Sequence, residues 1–193
     1  MELNIIWQSW DGSGLEQLHL SQNQDGITAY SIIVGAQDNI PFSLQYTLHC
    51  TPQWCVREAS LRVESAGKHH QLTLQSDTHG YWFTSSGDPL LSLEGCLDID
   101  VSATPFTNTL PIRRLGFKPG ESAEILVVYI SIPDLQFQPA PQRYTCLENR
   151  SNGSLYRYES LDSGYTTELE VDSDSIVLDY PGLFRRVWPE EGK

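Results

Sequence analysis

The chain has 193 residues, which fits a single domain with a substantial hydrophobic core. Its formal net charge of −13 argues against a broad phosphate-binding surface, and so against nucleic acid or an anionic membrane surface as a partner. With 5 Trp, 9 Tyr and 6 Phe, the composition predicts a folded protein rather than a disordered acidic chain.

Period-two alternation of apolar and polar residues, interrupted by turn signals about every ten residues, predicts antiparallel strands along almost the whole chain. In residues 42–50, for example, Phe42, Leu44, Tyr46 and Leu48 share one face. The strands predicted in the first half are 3–8, 15–21, 27–34, 42–50, 54–64, 70–75, 80–84 and a pair within 90–101.

Residues 104–111 are the least strand-like part of the first half, and we expect an extended loop or one short helix there. The most hydrophobic run, 123–132, predicts a central strand. The remaining predicted strands are 136–147, 155–160, 165–171, 175–178 and 184–188. A dozen or more strands cannot remain in one flat open sheet, so the fold class is all-β, with the sheet curled into a barrel, half barrels or two packed sheets.

Residues 96–115 (CLDIDVSATPFTNTLPIRRL) resemble residues 168–187 (ELEVDSDSIVLDYPGLFRRV) at a constant offset of 72. The offset aligns Asp100 with Asp172 and Arg113 with Arg185. Self-similarity at one fixed offset indicates a duplicated unit. We therefore predict a single domain, 1–193, that contains an internal duplication of approximately 1–116 and 117–193, with the two units in equivalent positions.

The carboxylates and guanidinium groups of the two units are the main candidate site residues. If 110–115 is extended, Arg113 and Arg114 each share a strand face with an apolar residue, and Arg185 and Arg186 repeat that arrangement. A buried arginine needs a carboxylate partner, and Asp100 and Asp172 stand at equivalent places to supply one. One interpretation is that Asp100 with Arg113, and Asp172 with Arg185, form structural ion pairs. The other is that Arg113 or Arg185 holds the headgroup of a ligand.

Aromatic residues are the second group of candidates, represented by Trp54 and Tyr158. They either line an apolar ligand pocket or belong to the core. His69 and His70 are neighbours that point to opposite faces of a strand, which is a poor arrangement for a metal site. Motifs for phosphate loops, nucleophile elbows and zinc proteases are missing from the sequence, so we expect no cofactor.

The first ten residues lack the basic start and apolar core of a signal peptide, and no apolar run reaches about 18 residues. These observations predict a cytoplasmic protein with no integral membrane association, in which the thiols of Cys50, Cys55, Cys96 and Cys146 are reduced. The alternative is an exported protein in which the four residues form two disulfides.

Several motifs together resemble a family of bacterial proteins labelled "putative glycolipid-binding". They are WQSW (7–10) with GLE (14–16), the run 96–115, QRYT (142–145), YRY (156–158) and DYPGLF (179–184). The resemblance covers nearly the whole chain, and the TNTLPIRR run is its most specific part. It implies a mostly antiparallel β fold, similar to curved half-barrel lipoprotein carriers, with a lipid-like ligand inside. No site residue can be carried over from the family.

The sequence thus predicts a non-enzymatic protein that binds an amphipathic, glycolipid-like small molecule, with its acyl part against aromatic and aliphatic side chains and its headgroup near Arg113 or Arg185. Two alternatives remain open. One is an enzyme that acts on sugar or lipid substrates with Asp98, Asp100 or Asp172. The other is an interaction module with a fully packed interior.

Overall fold

Fourteen β-strands and one α-helix are the main elements of residues 1–189, the part of the chain that this computed structural model describes. The strands of the first half are β1 (Glu2–Ser9), β2 (Leu15–Gln22), β3 (Ile27–Gln37), β4 (Ile40–Cys50), β5 (Val56–Ser65), β6 (Lys68–Ser76), β7 (Trp82–Thr84) and β8 (Asp98–Val101). Helix α1 (Thr109–Leu115) follows. The remaining strands are β9 (Ser122–Ser131), β10 (Gln136–Arg150), β11 (Gly153–Ser160), β12 (Thr166–Asp172), β13 (Val177–Tyr180) and β14 (Phe184–Trp188).

The predicted alternation is visible in the burial of the strands. In β4 the side chains of Leu44, Tyr46 and Leu48 are buried, and the residues between them are polar. The hairpin from β3 to β4 turns at Asp38 and Asn39, both with positive φ, which these two residue types tolerate well. Local pattern and turn chemistry therefore specify most of the strands.

All fourteen strands belong to one sheet, with the order β7-β6-β5-β4-β3-β2-β1-β14-β13-β12-β11-β10-β9-β8. Two meanders, β1–β7 and β9–β14, are joined by antiparallel pairing of β1 with β14, and β8 adds to β9 in parallel. The sheet is curled but not closed, since β7 and β8 remain its two edges. The prediction of an all-β, curled antiparallel sheet is confirmed. No helix within residues 1–189 is long and apolar enough to cross a membrane.

The segment between β7 and β9 packs on the inner face of the curled sheet. The predicted strand pair in 90–101 is only partly correct, because Leu91–Leu93 is a short 3-10 helix and only β8 is a strand. The short helix expected within 104–111 is present as a 3-10 turn, Phe106–Asn108, that leads into α1. The buried apolar side chains form a larger cluster, which includes Trp7 and Leu48, and a smaller one, which includes Tyr144 and Leu169. Phe106 belongs to the larger cluster and Ile112 to the smaller one, so this segment packs against both clusters.

The two similar segments do not form equivalent structures. Residues 96–115 form β8, the 3-10 turn and α1, whereas residues 168–187 lie in β12, β13 and β14. The prediction that the two units occupy equivalent positions is therefore wrong at the level of secondary structure. The division at 116/117 stays a prediction, and residues 190–193 of its second half lie outside the described part of the chain.

Candidate functional site

A cavity of about 510 Å³ lies at one end of the curled sheet, between β8 and the strands β9 to β13. Its size is within the range typical of small-molecule sites. Its wall includes one carboxylate from β8, a tyrosine from β9, a glutamine from β10 and further tyrosines from β11, β13 and the turn before β12. These residues are Asp100, Tyr129, Gln142, Tyr158, Tyr180 and Tyr165.

Asp100 is the less exposed of the two carboxylates in the lining of this cavity, the other being Asp162. The side-chain amide of Gln142 donates a hydrogen bond to Asp100 Oδ2 at 2.7 Å, and the hydroxyl of Thr107 donates to Oδ1 at 3.0 Å. Thr107 Oγ1 also accepts the backbone N–H of Val101 at 3.3 Å, which ties the 3-10 turn to β8. Burial raises the pKa of Asp100, and the two hydrogen bonds oppose that effect. The site therefore holds a fixed carboxyl group with free lone pairs.

A buried polar network fixes the orientation of Gln142. The hydroxyl of Tyr144 donates to Asn108 Oδ1 at 2.8 Å, with Gln142 Oε1 3.3 Å away. The side-chain amide of Asn108 donates to the carbonyl of Pro105 at 3.1 Å. Because the amide oxygen of Gln142 lies near a hydroxyl and its nitrogen near a carboxylate, only one orientation of the amide suits both neighbours.

Three tyrosine rings form an aromatic wall beside the carboxylate. The ring centroids of Tyr158, Tyr165 and Tyr180 are 6.2 to 6.5 Å apart, and the ring of Tyr144 packs edge-on against Tyr158 at 5.4 Å. Tyr158 and Tyr180 are buried, whereas Tyr165 is exposed at the rim. The wall therefore continues from the core to the mouth of the cavity.

Glu16 is a buried carboxyl group near the cavity-lining residue Thr104. Glu16 Oε1 accepts hydrogen bonds from the hydroxyls of Ser31 and Tyr46, each at 2.7 Å. Glu16 Oε2 is buried with no hydrogen-bond partner in the described part of the chain. Burial raises the pKa of Glu16 to about 7, although the hydrogen bonds from its hydroxyl neighbours lower it.

The predicted ion pairs have different partners from those expected. Arg114 makes a two-point contact with the buried carboxylate of Asp98, at 3.1 and 2.5 Å, so the prediction that Asp100 pairs with Arg113 is wrong. In α1 consecutive side chains point about 100° apart, and of the two arginines Arg114 is the one that contacts Asp98 of β8. The Arg113 guanidinium instead lies 4.8 Å from the centroid of the Trp54 ring.

The second predicted pair, Asp172 with Arg185, is also wrong. Asp172 accepts a hydrogen bond from Arg186 and also accepts the backbone N–H groups of Asp174 and Ile176 in the turn before β13. Neighbouring side chains of β14 alternate between faces, so Arg186 points inward while Arg185 is exposed. The Arg185 guanidinium lies 5.8 Å from the Trp10 ring centroid.

Two of the six residues proposed from the sequence as ligand-binding, Asp100 and Tyr158, line the cavity. The other four, Arg113, Arg185, Asp172 and Trp54, are not among its lining residues. The polar lining residues Gln142 and Asn108 were not among the site residues predicted from the sequence. They were recognisable only as members of the QRYT and TNTLPIRR motifs, since no local periodicity connects them.

The chain is similar to known proteins over nearly its whole length. Residues 4–186 match the sequence profile of a family described as "Putative glycolipid-binding". A solved structure of a DUF1089 family protein from Pseudomonas aeruginosa is 39% identical, with a TM-score of 0.82 over 91% of this chain and 92% of that one. A beta-barrel-like protein of the domain of unknown function DUF1849, from Brucella abortus, shares the fold with a TM-score of 0.51 at 9% identity, over 96% and 93% of the two chains.

None of the curated proteins matches the chain. The match to the family profile extends across the elements that build the cavity, from β1 into β14. The chain belongs to the bacterial family described as "Putative glycolipid-binding".

Proposed function

We propose that the protein binds one amphipathic, glycolipid-like molecule with its headgroup in the cavity at Asp100. The observation that carries the proposal is a cavity of about 510 Å³ in which a fixed carboxyl and amide pair faces a wall of tyrosines. Carboxylate and amide groups accept and donate the hydrogen bonds that sugar hydroxyls need, and aromatic rings pack against the apolar faces of sugars. The description of the family supports the same kind of ligand.

The proposed headgroup position differs from the one expected from the sequence. Arg113 and Arg185 are stacked on tryptophan rings outside the cavity lining, so Asp100 and Gln142 take the role that was assigned to an arginine. The non-enzymatic role and the cytoplasmic location expected from the sequence remain parts of this proposal.

A second cavity, of about 310 Å³, adjoins the first, and its lining combines apolar side chains with polar ones such as Asp11 and Asp38. It shares Ser102, Leu183 and Phe184 with the first cavity and is also lined by Phe42 and Ile132. In this proposal the alkyl chain leaves the headgroup site along Leu183 and Phe184, where it contacts apolar side chains.

Filling the cavity tests this proposal. Ala140 lines it, and we expect Ala140→Trp to lower the affinity for octyl glucoside at least about tenfold, because the indole occupies space that the ligand needs. Titration calorimetry measures the affinity, and native mass spectrometry shows whether co-purified lipid is lost. Gln136→Trp is the matched control, since Gln136 is exposed on the same strand and does not line the cavity.

The proposal predicts that wild-type protein carries a lipid after gentle purification, or gains thermal stability from a lipid extract. The absence of both effects would contradict it. Equal binding by Ala140→Trp and wild type would place the ligand elsewhere. The alternative of an interaction module with a fully packed interior stays a prediction, because both cavities open at the surface, where Tyr165 and Asp38 are exposed.

An enzyme remains the second candidate, and one observation favours it. Asp100 is a cavity carboxyl with a raised pKa, which is a feature of general acids. The other two acids considered from the sequence form ion pairs, Asp98 with Arg114 and Asp172 with Arg186. Release of glucose from octyl glucoside in the binding samples, lost in Asp100→Asn, would favour the enzyme over the binding protein.

A further inference from the structure

The charges around the cavity restrict the headgroup that it can accept. The described residues that line it include the carboxylates Asp100 and Asp162 and no lysine, arginine or histidine. The whole chain carries a formal net charge of −13. A phosphate or sulfate headgroup would therefore enter a site that offers no counter-charge and already contains negative groups.

Asp100 itself lacks a cationic partner. Within residues 1–189 no lysine, arginine or histidine nitrogen lies within 4.0 Å of its carboxylate, whereas the neighbouring Asp98 is paired with Arg114. The two donors of Asp100, Gln142 and Thr107, are neutral and occupy only part of its hydrogen-bonding capacity. A partly buried carboxylate in this state is best stabilised by a positive charge from the ligand.

The tyrosine wall provides the second feature of a cation site. Tyr129, Tyr158 and Tyr180 line the same cavity as Asp100. Burial raises the pKa of these three phenols, and the charge of Asp100 adds to that effect at each of them. A cation interacts favourably with an aromatic ring when it lies within about 6 Å of the ring centroid. The centroids of Tyr158, Tyr165 and Tyr180 are 6.2 to 6.5 Å apart and all three residues line the cavity, so the wall offers several rings to a cation.

We propose that the headgroup carries an ammonium group, held by the Asp100 carboxylate and by the rings of Tyr158, Tyr165 and Tyr180. This inference rests on the proposed function, and it specifies the ligand class as an amino sugar or another amine on an alkyl chain. The amine donates to the free lone pairs of Asp100 while Gln142 and Thr107 keep their hydrogen bonds to the same carboxylate.

Three probes with the same octyl chain separate the headgroup classes at neutral pH. They are octyl 2-amino-2-deoxyglucoside, octyl glucoside and octyl phosphate. The first two differ only by an amino group in place of a hydroxyl. We expect the amino glucoside to bind at least about tenfold more tightly than the glucoside in titration calorimetry, and the phosphate to bind most weakly.

Asp100→Asn tests the carboxylate directly. The asparagine oxygen can accept from Gln142 and its nitrogen can donate to Thr107 Oγ1, so the Thr107 hydroxyl hydrogen is the one donor that loses its acceptor. We expect the preference for the amino glucoside to disappear in this variant. Asp134→Asn removes the same charge from an exposed turn outside the cavity lining, and we expect it to keep the preference.

Tyr165 gives an independent test, because it is exposed at the rim and its replacement does not disturb the core. Tyr165→Phe keeps the ring, and the preference for the amino glucoside should remain. Tyr165→Leu removes the ring, and the preference should fall several-fold.

The outcomes distinguish this inference from the proposed function. If none of the three probes binds, the proposed function fails, and this inference with it. If octyl glucoside binds in a manner sensitive to Ala140→Trp but equals or exceeds the amino glucoside, the proposed function stands and the ammonium inference is wrong. A preference that survives both Asp100→Asn and Tyr165→Leu also overturns the inference.

Discussion

Replacing Arg114 by methionine is expected to lower the free energy of unfolding by about 3–5 kcal/mol, whereas the same change at the adjacent Arg113 should lower it by about 1 kcal/mol. The side chain of Asp98 is fully buried, and its two hydrogen bonds from Arg114 oppose the effect of burial, which raises its pKa. Without Arg114 the carboxylate is either unpaired or must take up a proton. Arg113 only stacks on Trp54.

Urea unfolding followed by circular dichroism at neutral pH measures both losses. A double variant, Asp98→Asn with Arg114→Met, should recover part of the stability, because it removes the buried charge together with its partner. Equal losses for Arg113→Met and Arg114→Met would show that the Asp98–Arg114 pair does not stabilise the fold more than the stacked arginine does.

Most strands were predictable because their information is local. Alternation in β4 and the Asp38-Asn39 turn before it depend on residues that are neighbours in sequence. The pairing of β1 with β14 and the parallel addition of β8 to β9 join residues far apart in the chain, and alternation does not encode such partners. The secondary structure of α1 and of Leu91–Leu93 could not be predicted from their short apolar runs, because tertiary packing decides the conformation of such runs.

The candidate site was predictable only in part, for a related reason. Asp100 was recognised as one of two acids on a strand face, and Tyr158 as one of several tyrosines. Gln142, which orients Asp100, is separated from it by 42 positions. The partner of Asp100 was assigned wrongly because the assignment took 110–115 as extended, whereas the chain forms a helix there and the direction of each side chain changes. The partner of Asp172 was assigned wrongly although 184–188 is a strand, because both of its faces carry apolar residues and the sequence does not show which arginine points inward.

Glu16→Gln is expected to make the protein more stable than wild type at about pH 8, by about 2–3 kcal/mol, and to leave stability nearly unchanged at about pH 4. The pKa of Glu16 is raised from 4.5 to about 7 by burial. Between these two values the folded state binds more protons than the unfolded state, so the contribution of Glu16 to stability decreases as pH rises. At a pH above the folded-state pKa of Glu16, the wild-type protein has lost the whole of this contribution to stability. A glutamine at this position does not titrate, so its contribution does not change with pH.

The geometry of the pocket suits glutamine. Its oxygen can accept the hydrogen bonds that Ser31 and Tyr46 donate to Glu16 Oε1, and its amide nitrogen replaces Oε2, which lacks a partner in the described structure. The hydroxyl of Thr104 lies beside the carboxyl and can accept a hydrogen bond from that nitrogen. Urea unfolding at several pH values measures the difference between variant and wild type, in which the contributions of Asp98 and Asp100 cancel.

Glu94→Gln is the matched control, since Glu94 is exposed and its replacement should leave stability within about 0.5 kcal/mol of wild type at each pH. A difference between Glu16→Gln and wild type that does not change with pH would show that Glu16 titrates alike in the folded and unfolded states. A variant that is less stable at about pH 8 than at about pH 4, relative to wild type, would reverse the predicted sign. That result would mean that the hydroxyls of Ser31 and Tyr46 stabilise the ionised carboxylate more than burial opposes it.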